Sequence, residues 1–341
     1  MKVLFIGGRW VRHLEQSEKL KELKKYAEIE ITAETDQEAL AEKAKDVDVI
    51  STGAPVTATI IEAAEKLILI QTTTVGYNRI DLASVIENGI TICNVAEANA
   101  NSVAELVFGL IISVARRISA HDHHMKSGNW GRVDYERQVQ IRHKTLGIVG
   151  LGAIGSRVAQ IGKNAFDMEI LACDPYIIHE RADQFGGKLV DLHTLMTESD
   201  VVTVHVPLNE ETKQMIDMEE LKLLKPSAIF INTSRGPVVN EEALITILKE
   251  KRISGAGLDV FENEPLPKDS PLRALDNVVL VPHIGSAFDA SKRMVEVAME
   301  NVLRVAKGLE PFRIKTPETY YTSPRWKKWL SSRAKELSAH S

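Results

Sequence analysis

The chain has 341 residues, of which 44% are hydrophobic and 26% charged, the profile of a soluble globular protein of about two domains. Its net charge of −5 supplies no overall basic field, which argues against nucleic acid or a membrane as partner. Only Cys93 and Cys173 are present, so no disulfide framework is available and a reducing cytoplasm is the expected setting. The N-terminal apolar run is too short for a signal peptide. The most apolar segment, 103–115, contains Glu105 and is shorter than the roughly 20 residues that span a bilayer. It is expected as a buried helix.

Apolar runs at 3–6, 29–31, 47–51, 67–70 and 91–93 alternate with amphipathic stretches at 17–26, 37–45, 58–66 and 81–88. This alternation predicts a parallel sheet covered by helices on both faces. Gly7-Gly8 after the first run lacks a full nucleotide fingerprint, so this unit is expected not to hold a cofactor. Asn99 or Ser102 is expected to cap the long apolar helix, which carries the chain into a second unit. Residues 121–142 hold Gly128, Trp130, Gly131 and Tyr135 without a clean period and read as an extended arm suited to a partner subunit. Within it, His121-Asp122-His123-His124 fits no standard closed zinc set, and no metal is expected. The alternation restarts with runs at 146–149, 169–172, 201–204, 228–231, 256–258 and 278–281, predicting a second doubly wound sheet. A helical stretch at 289–307 is expected to lead the chain back to the first unit. In the tail, Trp326, Trp329 and Leu330 share a helical face beside basic residues. That pattern suits a membrane-surface element or, more commonly, a terminal helix docked on its own protein.

Gly150-Leu151-Gly152-Ala153-Ile154-Gly155 follows the run 146–149 and opens a helical stretch at 156–164. That context gives each glycine a duty: a tight turn at Gly150, backbone approach to a pyrophosphate at Gly152, and close helix–strand packing at Gly155. Asp174 ends the next run, about 20 residues on, where an acid binds a ribose 2′-hydroxyl. A carboxylate there repels a 2′-phosphate, so NAD, entering as NADH, is favoured over NADP. Arg181 is the nearest basic residue.

Three further strand ends supply an anion clamp, a carboxylate and an acid/base. They are Arg235 in Asn232-Thr233-Ser234-Arg235-Gly236, Glu264 in Asp259-Val260-Phe261-Glu262-Asn263-Glu264-Pro265, and His283 in Pro282-His283-Ile284-Gly285. Arg235 offers a planar donor fork to a carboxylate. His283 supplies an imidazole, the side chain suited to moving a proton in this chemistry. Glu264 is expected to hydrogen-bond His283 and favour its charged form.

With the glycine loop and His205-Val206-Pro207, these motifs resemble the D-isomer-specific 2-hydroxyacid dehydrogenases, in that family's order. Val75-Gly76-Tyr77 and Val103-Ala104-Glu105-Leu106 extend the resemblance into the first part, leaving only the tail after Glu310 uncovered. The resemblance implies an α/β protein with two doubly wound parallel-sheet domains and an interdomain cleft. A flavodoxin-like substrate domain comprises 1–98 and 288–341, and a Rossmann NAD-binding domain comprises 99–287 with a dimerisation arm at 121–142. It implies a homodimer. It places Arg235, Glu264 and His283 in catalysis, and Gly53, Val75, Gly76 and Arg235 on the substrate. It places Gly150, Gly152, Ala153, Ile154, Gly155, Asp174, His205, Pro207, Thr233, Asp259 and Val103 on the cofactor, with Asp259 at the nicotinamide carboxamide.

Ser51-Thr52-Gly53-Ala54-Pro55 lacks the arginine that phosphoglycerate dehydrogenases of this family carry there, and no regulatory domain is expected. The Gly285-Ser286-Ala287 run resembles glyoxylate and hydroxypyruvate reductases. A small unphosphorylated 2-keto acid is therefore the expected substrate. The alternatives are a short-type D-3-phosphoglycerate dehydrogenase and an NAD-sensing scaffold resembling the C-terminal-binding-protein corepressors.

Overall fold

The computed structural model describes residues 1–8, 10–178 and 182–338; Arg181 lies outside them. The chain divides into two compact units, Met1–Asn99 with Ala287–Ser341, and Ala100–Ser286.

The first unit is built on five parallel strands, β1 (Lys2–Ile6), β2 (Glu28–Thr32), β3 (Val49–Thr52), β4 (Leu69–Thr72) and β5 (Thr91–Cys93), in the order β2-β1-β3-β4-β5. This is the flavodoxin-like order, whose direction reverses between β1 and β3. β3 and β4 are buried along their whole length, as strands covered on both faces must be. Successive residues serve opposite faces. Leu4, Ile50, Ile70 and Ile92 pack with the helices Gln37–Ala44 and Ala58–Ala63. Val3, Phe5, Val49 and Leu69 pack with Glu18–Leu23 and Phe288–Ala306. Side-chain caps by Ser17, Asp36 and Asp81 start three of the helices.

The tail is core. Trp326 is fully buried and donates Nε1–H to Thr91 Oγ1 at 2.7 Å. Arg333 is 6% exposed and donates to the carbonyls of Ala306 and Tyr26, and Arg325 donates to those of Ala64 and Leu67. Two of the basic residues beside that apolar face, Arg325 and Arg333, are thus spent on backbone carbonyls of their own unit, and the helix docks on its own protein. Among the described residues no helix is long and apolar enough to cross a membrane.

The second unit holds seven parallel strands: β6 (Thr145–Val149), β7 (Glu169–Cys173), β8 (Gly187–Leu189), β9 (Val201–Val204), β10 (Ile229–Asn232), β11 (Gly255–Leu258) and β12 (Val278–Leu280). Their order, β12-β11-β10-β9-β6-β7-β8, is the dinucleotide-binding order with one strand added, reversing between β6 and β9. The helices Ala100–Arg116 and Ala153–Phe166 cover one face, where Phe108 stacks on Phe166 at 5.2 Å. Leu192–Glu198, Met218–Lys222 and Glu241–Lys249 cover the other.

Several local expectations are corrected. The arm is not wholly extended: Ile118–Lys126 is helical, broken from the preceding helix at Arg117, whose φ is 55°. His121 ties the arm down, its Nε2 accepting from Val133 N at 3.1 Å and its Nδ1 lying 2.8 Å from the Arg117 carbonyl. Ser102 lies inside the helix rather than ahead of it, and donates to the Gly285 carbonyl at 2.8 Å. The helix Val11–Glu15 and strand β8 are additions, each too short to show a period.

Candidate active site

In the second unit the sequence-selected residues gather at the carboxyl ends of the strands, where open α/β sheets bind ligands. The loop after β10 carries Arg235. Its shape is set by Asn232, whose Oδ1 accepts from Ser234 N and Oγ at 3.0 Å each while its Nδ2 donates to the Arg235 carbonyl at 3.1 Å. This Asx-type clasp was not singled out from sequence, although Asn followed by Ser two residues on is its signal. Gly236 is a close-approach position: a Cβ there would lie 1.9 Å from the Phe261 carbonyl carbon. Only glycine lets the arginine loop lie against the loop after β11. Arg235 is half-buried, and its Nη1 donates to the Ser234 carbonyl at 2.6 Å.

The loop after β11 carries Asp259 and Glu264, and the loop after β12 carries His283. Glu264 Oε2 lies 2.8 Å from His283 Nδ1, and Oε1 accepts from Phe261 N at 3.2 Å. The imidazole side chain is 46% exposed against 27% for the glutamate, so the carboxylate backs a ring that still faces outward. His283 has φ 54°, a left-handed backbone that a non-glycine residue adopts at a cost. Asp259 holds it there. Its carbonyl accepts from His283 N at 3.0 Å, its Oδ1 from Ile284 N at 2.6 Å, and its Oδ2 from Gly285 N at 3.0 Å. Asp259 is 1% exposed, and burial pushes its carboxyl pKa up against those hydrogen bonds. The resemblance implied a cofactor contact for this residue; the structure adds the fixing of the histidine loop. Val103, 4% exposed, lies in the core on the helix beneath, and its Cγ2 would be 3.4 Å from a Cβ at Gly285.

The glycine loop follows β6 at the point where strand order reverses. Gly150 has φ 93°, and a Cβ there would come 2.9 Å from Val206 Cγ1. A Cβ on Gly155 would lie 2.1 Å from the Gly150 carbonyl oxygen, so helix and turn touch through backbone alone. Gly152 differs: nothing stands within 4 Å of its missing Cβ, which leaves a cradle that a side chain would fill. It precedes the helix Ala153–Phe166, which has no side-chain cap and no acid in its first turn. Such an end leaves its first N–H groups, including those of exposed Ala153 and half-buried Ile154, for an anion. Asp174 closes the loop from β7, with Oδ2 accepting from Leu151 N at 2.9 Å.

Two more positions are buried polar atoms without a protein partner, His205 Nδ1 after β9 and Thr233 Oγ1 after β10. His205 Nε2 meets Thr203 Oγ1 at 2.9 Å, and burial pushes the imidazole down to about 3, so it stays neutral. Orphaned polar atoms of this kind call for a ligand. Together with the Gly152 cradle they fit a dinucleotide. Pro207 is exposed beyond His205.

In the first unit, Gly53 follows β3, and Val75 and Gly76 follow β4, again at the carboxyl edge. Thr74 Oγ1 donates to the Gly76 carbonyl at 2.8 Å, and Asn94 Nδ2 donates to that of Val75 at 2.7 Å. A trans peptide points its N–H opposite its carbonyl, so Asn94 fixes the direction of the Gly76 N–H. Sequence reading missed Asn94, which lies beyond β5 and carries no local signal for this contact. No cation stands in Gly53-Ala54-Pro55. Among the described residues no group of three or more metal-ligating side chains forms.

Comparison with known proteins gives this geometry a family. The sequence model described as D-isomer specific 2-hydroxyacid dehydrogenase, NAD binding domain, matches residues 108–285. A glyoxylate reductase of Thermococcus litoralis is 39% identical over 317 residues, covering 89% of this chain and 95% of that protein. A D-3-phosphoglycerate dehydrogenase of Methanocaldococcus jannaschii is 41% identical over 293 residues, 85% of this chain, and the match spans 55% of that relative's length. Among solved structures, a glyoxylate reductase from Paecilomyes thermophila aligns with a TM-score of 0.85 at 27% identity, over 93% of this chain and 99% of that one. The chain belongs to the D-isomer specific 2-hydroxyacid dehydrogenase family, oxidoreductases that use a nicotinamide cofactor.

Proposed function

We propose that this protein interconverts a small unphosphorylated 2-keto acid and its D-2-hydroxy acid, of the glyoxylate and hydroxypyruvate type, using NADH. The observation that carries the reading is the 2.8 Å pair of His283 Nδ1 and Glu264 Oε2 behind an outward-facing ring. A carboxylate only accepts, so Nδ1 keeps its hydrogen and Nε2 carries the exchangeable proton.

The glycine loop would hold the dinucleotide by its pyrophosphate, and the cofactor would supply or take the hydride. Arg235 binds the substrate carboxylate and polarises the carbonyl oxygen. His283 Nε2 gives its proton to that oxygen as the carbon becomes C–H, and recovers it in the reverse direction. Glu264 steadies the charged ring and holds its orientation. By the family pattern, the backbone of Val75 and Gly76 binds the substrate carboxylate and small Gly53 borders it. Likewise, residues 1–98 with 288–341 serve the substrate and 99–287 the cofactor, including Ala153, Ile154, His205, Pro207, Thr233, Asp259 and Val103. Asp174 selects NADH by repelling a 2′-phosphate.

A homodimer joined through the arm at 121–142 is supported by large apolar side chains left exposed there, Met125 at 47%, Trp130 at 89% and Tyr135 at 58%. Two unpaired cysteines suit a reducing cytoplasm. A second reading, a short-type D-3-phosphoglycerate dehydrogenase, is favoured by the 41% identity to the M. jannaschii protein.

The test follows absorbance of NADH and NADPH with glyoxylate, hydroxypyruvate, pyruvate, phenylpyruvate and 3-phosphohydroxypyruvate. The highest kcat/KM is expected with NADH and one of the first two. Preference for the phosphorylated substrate would establish the second reading. NADH binding without turnover of any 2-keto acid would replace both with a dinucleotide-sensing role.

A further inference from the structure

β6 lies between β7 and β9 in the sheet, so the loops after β7 and β9 flank the glycine loop on its two sides. A side-chain bond joins them: Tyr176 donates its hydroxyl to Glu211 Oε2 at 2.5 Å. The tyrosine end of that bond is anchored to the cradle, and the glutamate end to a self-closed turn. Tyr176 N donates to Asp174 Oδ1 at 3.0 Å, and the same carboxylate takes Leu151 N of the glycine loop on Oδ2 at 2.9 Å. Glu211 sits on a turn closed from within. There Asn209 N donates to Thr212 Oγ1 and Thr212 N to Asn209 Oδ1, each at 2.9 Å, while Thr212 Oγ1 donates to the Pro207 carbonyl at 2.6 Å. Packing does not explain the tyrosine, which is 79% exposed. Its one polar atom reaches across the crevice where strand order reverses.

The ribose hydroxyl that Asp174 would bind is attached beside the carbon bearing the adenine. The base therefore lies next to Asp174, in the span that the tyrosine and the glutamate close. We propose that Tyr176 and Glu211 form a strap over the adenosine half of the bound dinucleotide, slowing its release, with the Glu211 carboxylate adding to Asp174 in excluding a 2′-phosphate. This rests on the nicotinamide-dependent reading above. The hydrogen bond to Glu211 also raises the Tyr176 pKa, so the hydroxyl stays protonated and able to donate throughout the neutral range.

The experiment measures NADH release by stopped-flow displacement, and NADH and NADPH affinity by titration of cofactor fluorescence. Tyr176→Phe and Glu211→Ala are each expected to speed NADH release about fivefold, the scale of one net hydrogen bond. The double variant is expected to be no faster than either single one, because both remove the same bond. Glu211→Gln keeps an acceptor and removes the charge, so it is expected to release NADH near the wild-type rate while binding NADPH more tightly. Unchanged release in Tyr176→Phe, or additive effects in the double variant, would overturn the strap. Asp174→Ala separates the two layers. If the wild-type protein binds NADH and Asp174→Ala weakens it, the cofactor reading stands whatever the strap does; if the wild-type protein binds neither dinucleotide, both fall.

Discussion

The carboxyl edges of the two sheets are built from different materials. In the second unit, β9, β10, β11 and β12 lead into His205, Arg235, Asp259 and His283, whose side chains carry charge, donors or a movable proton. In the first unit, β1, β3 and β4 lead into Gly7, Gly53 and Thr73, and the loops beyond them are shaped by peptide groups, as where Asn94 holds the Val75 carbonyl. Two sheets of the same class, each reversing strand order at one point, thus divide the labour. One presents reactive side chains, and the other presents small residues and oriented backbone. A substitution at the first kind of edge removes a chemical group, whereas one at the second kind changes shape.

The sharpest way to break that contrast is His283→Ala. Loss of a positioned acid/base is expected to lower kcat by about 10²–10⁴-fold while NADH affinity, measured by fluorescence titration, stays within a few fold. A kcat near wild type would mean that the proton comes from elsewhere.

Gly236→Ala asks whether placement matters as much as identity. The added Cβ, 1.9 Å from the Phe261 carbonyl carbon, must push the arginine loop off the loop after β11. Displacements near 1 Å cost about 10²-fold, so steady-state kcat/KM is expected to fall by about that factor with Arg235 still present. Unchanged kinetics would show that the loops do not need this contact.

Ala54→Arg probes the other edge. It supplies the missing cation after β3 and is expected to raise kcat/KM for 3-phosphohydroxypyruvate by roughly tenfold, the lower range for a charge-assisted hydrogen bond. Rates with glyoxylate, which has no phosphate, should not rise. No gain would place phosphate discrimination outside this loop.

The contrast also explains what could be read in advance. Strands such as β9 and β5 were legible to the residue because apolar runs bounded by polar turns announce them. Arg235, Glu264 and His283 were legible because each reactive side chain stands just past a strand. Asn94, Asn232 and the double duty of Asp259 were not. Their work is to hold peptide groups that lie far away in sequence or are identical at every residue. The helix within the arm escaped notice because Gly128, Gly131 and clustered histidines blur its period. The tail was ambiguous because Arg325 and Arg333 look like a charged surface until the carbonyls they serve are known.

His205 offers a smaller test that also separates the two edges. The residue is half-buried with Nδ1 out of water, and desolvation holds the ring neutral, with a folded pKa of about 3, whereas the unfolded value is about 6.5. Between those values the unfolded state binds the proton and the folded state does not, so stability falls as pH drops from 6.5 toward 3. The cost approaches ~1.4 kcal/mol for each pH unit below 6.5. Denaturant midpoints at pH 7, 6 and 5 should therefore decline more steeply for the wild-type protein than for His205→Asn, although the substitution itself costs stability at pH 7 by removing the contact with Thr203. Parallel slopes would show that the ring takes up its proton without unfolding and that the second unit's edge is more open to water than its burial implies.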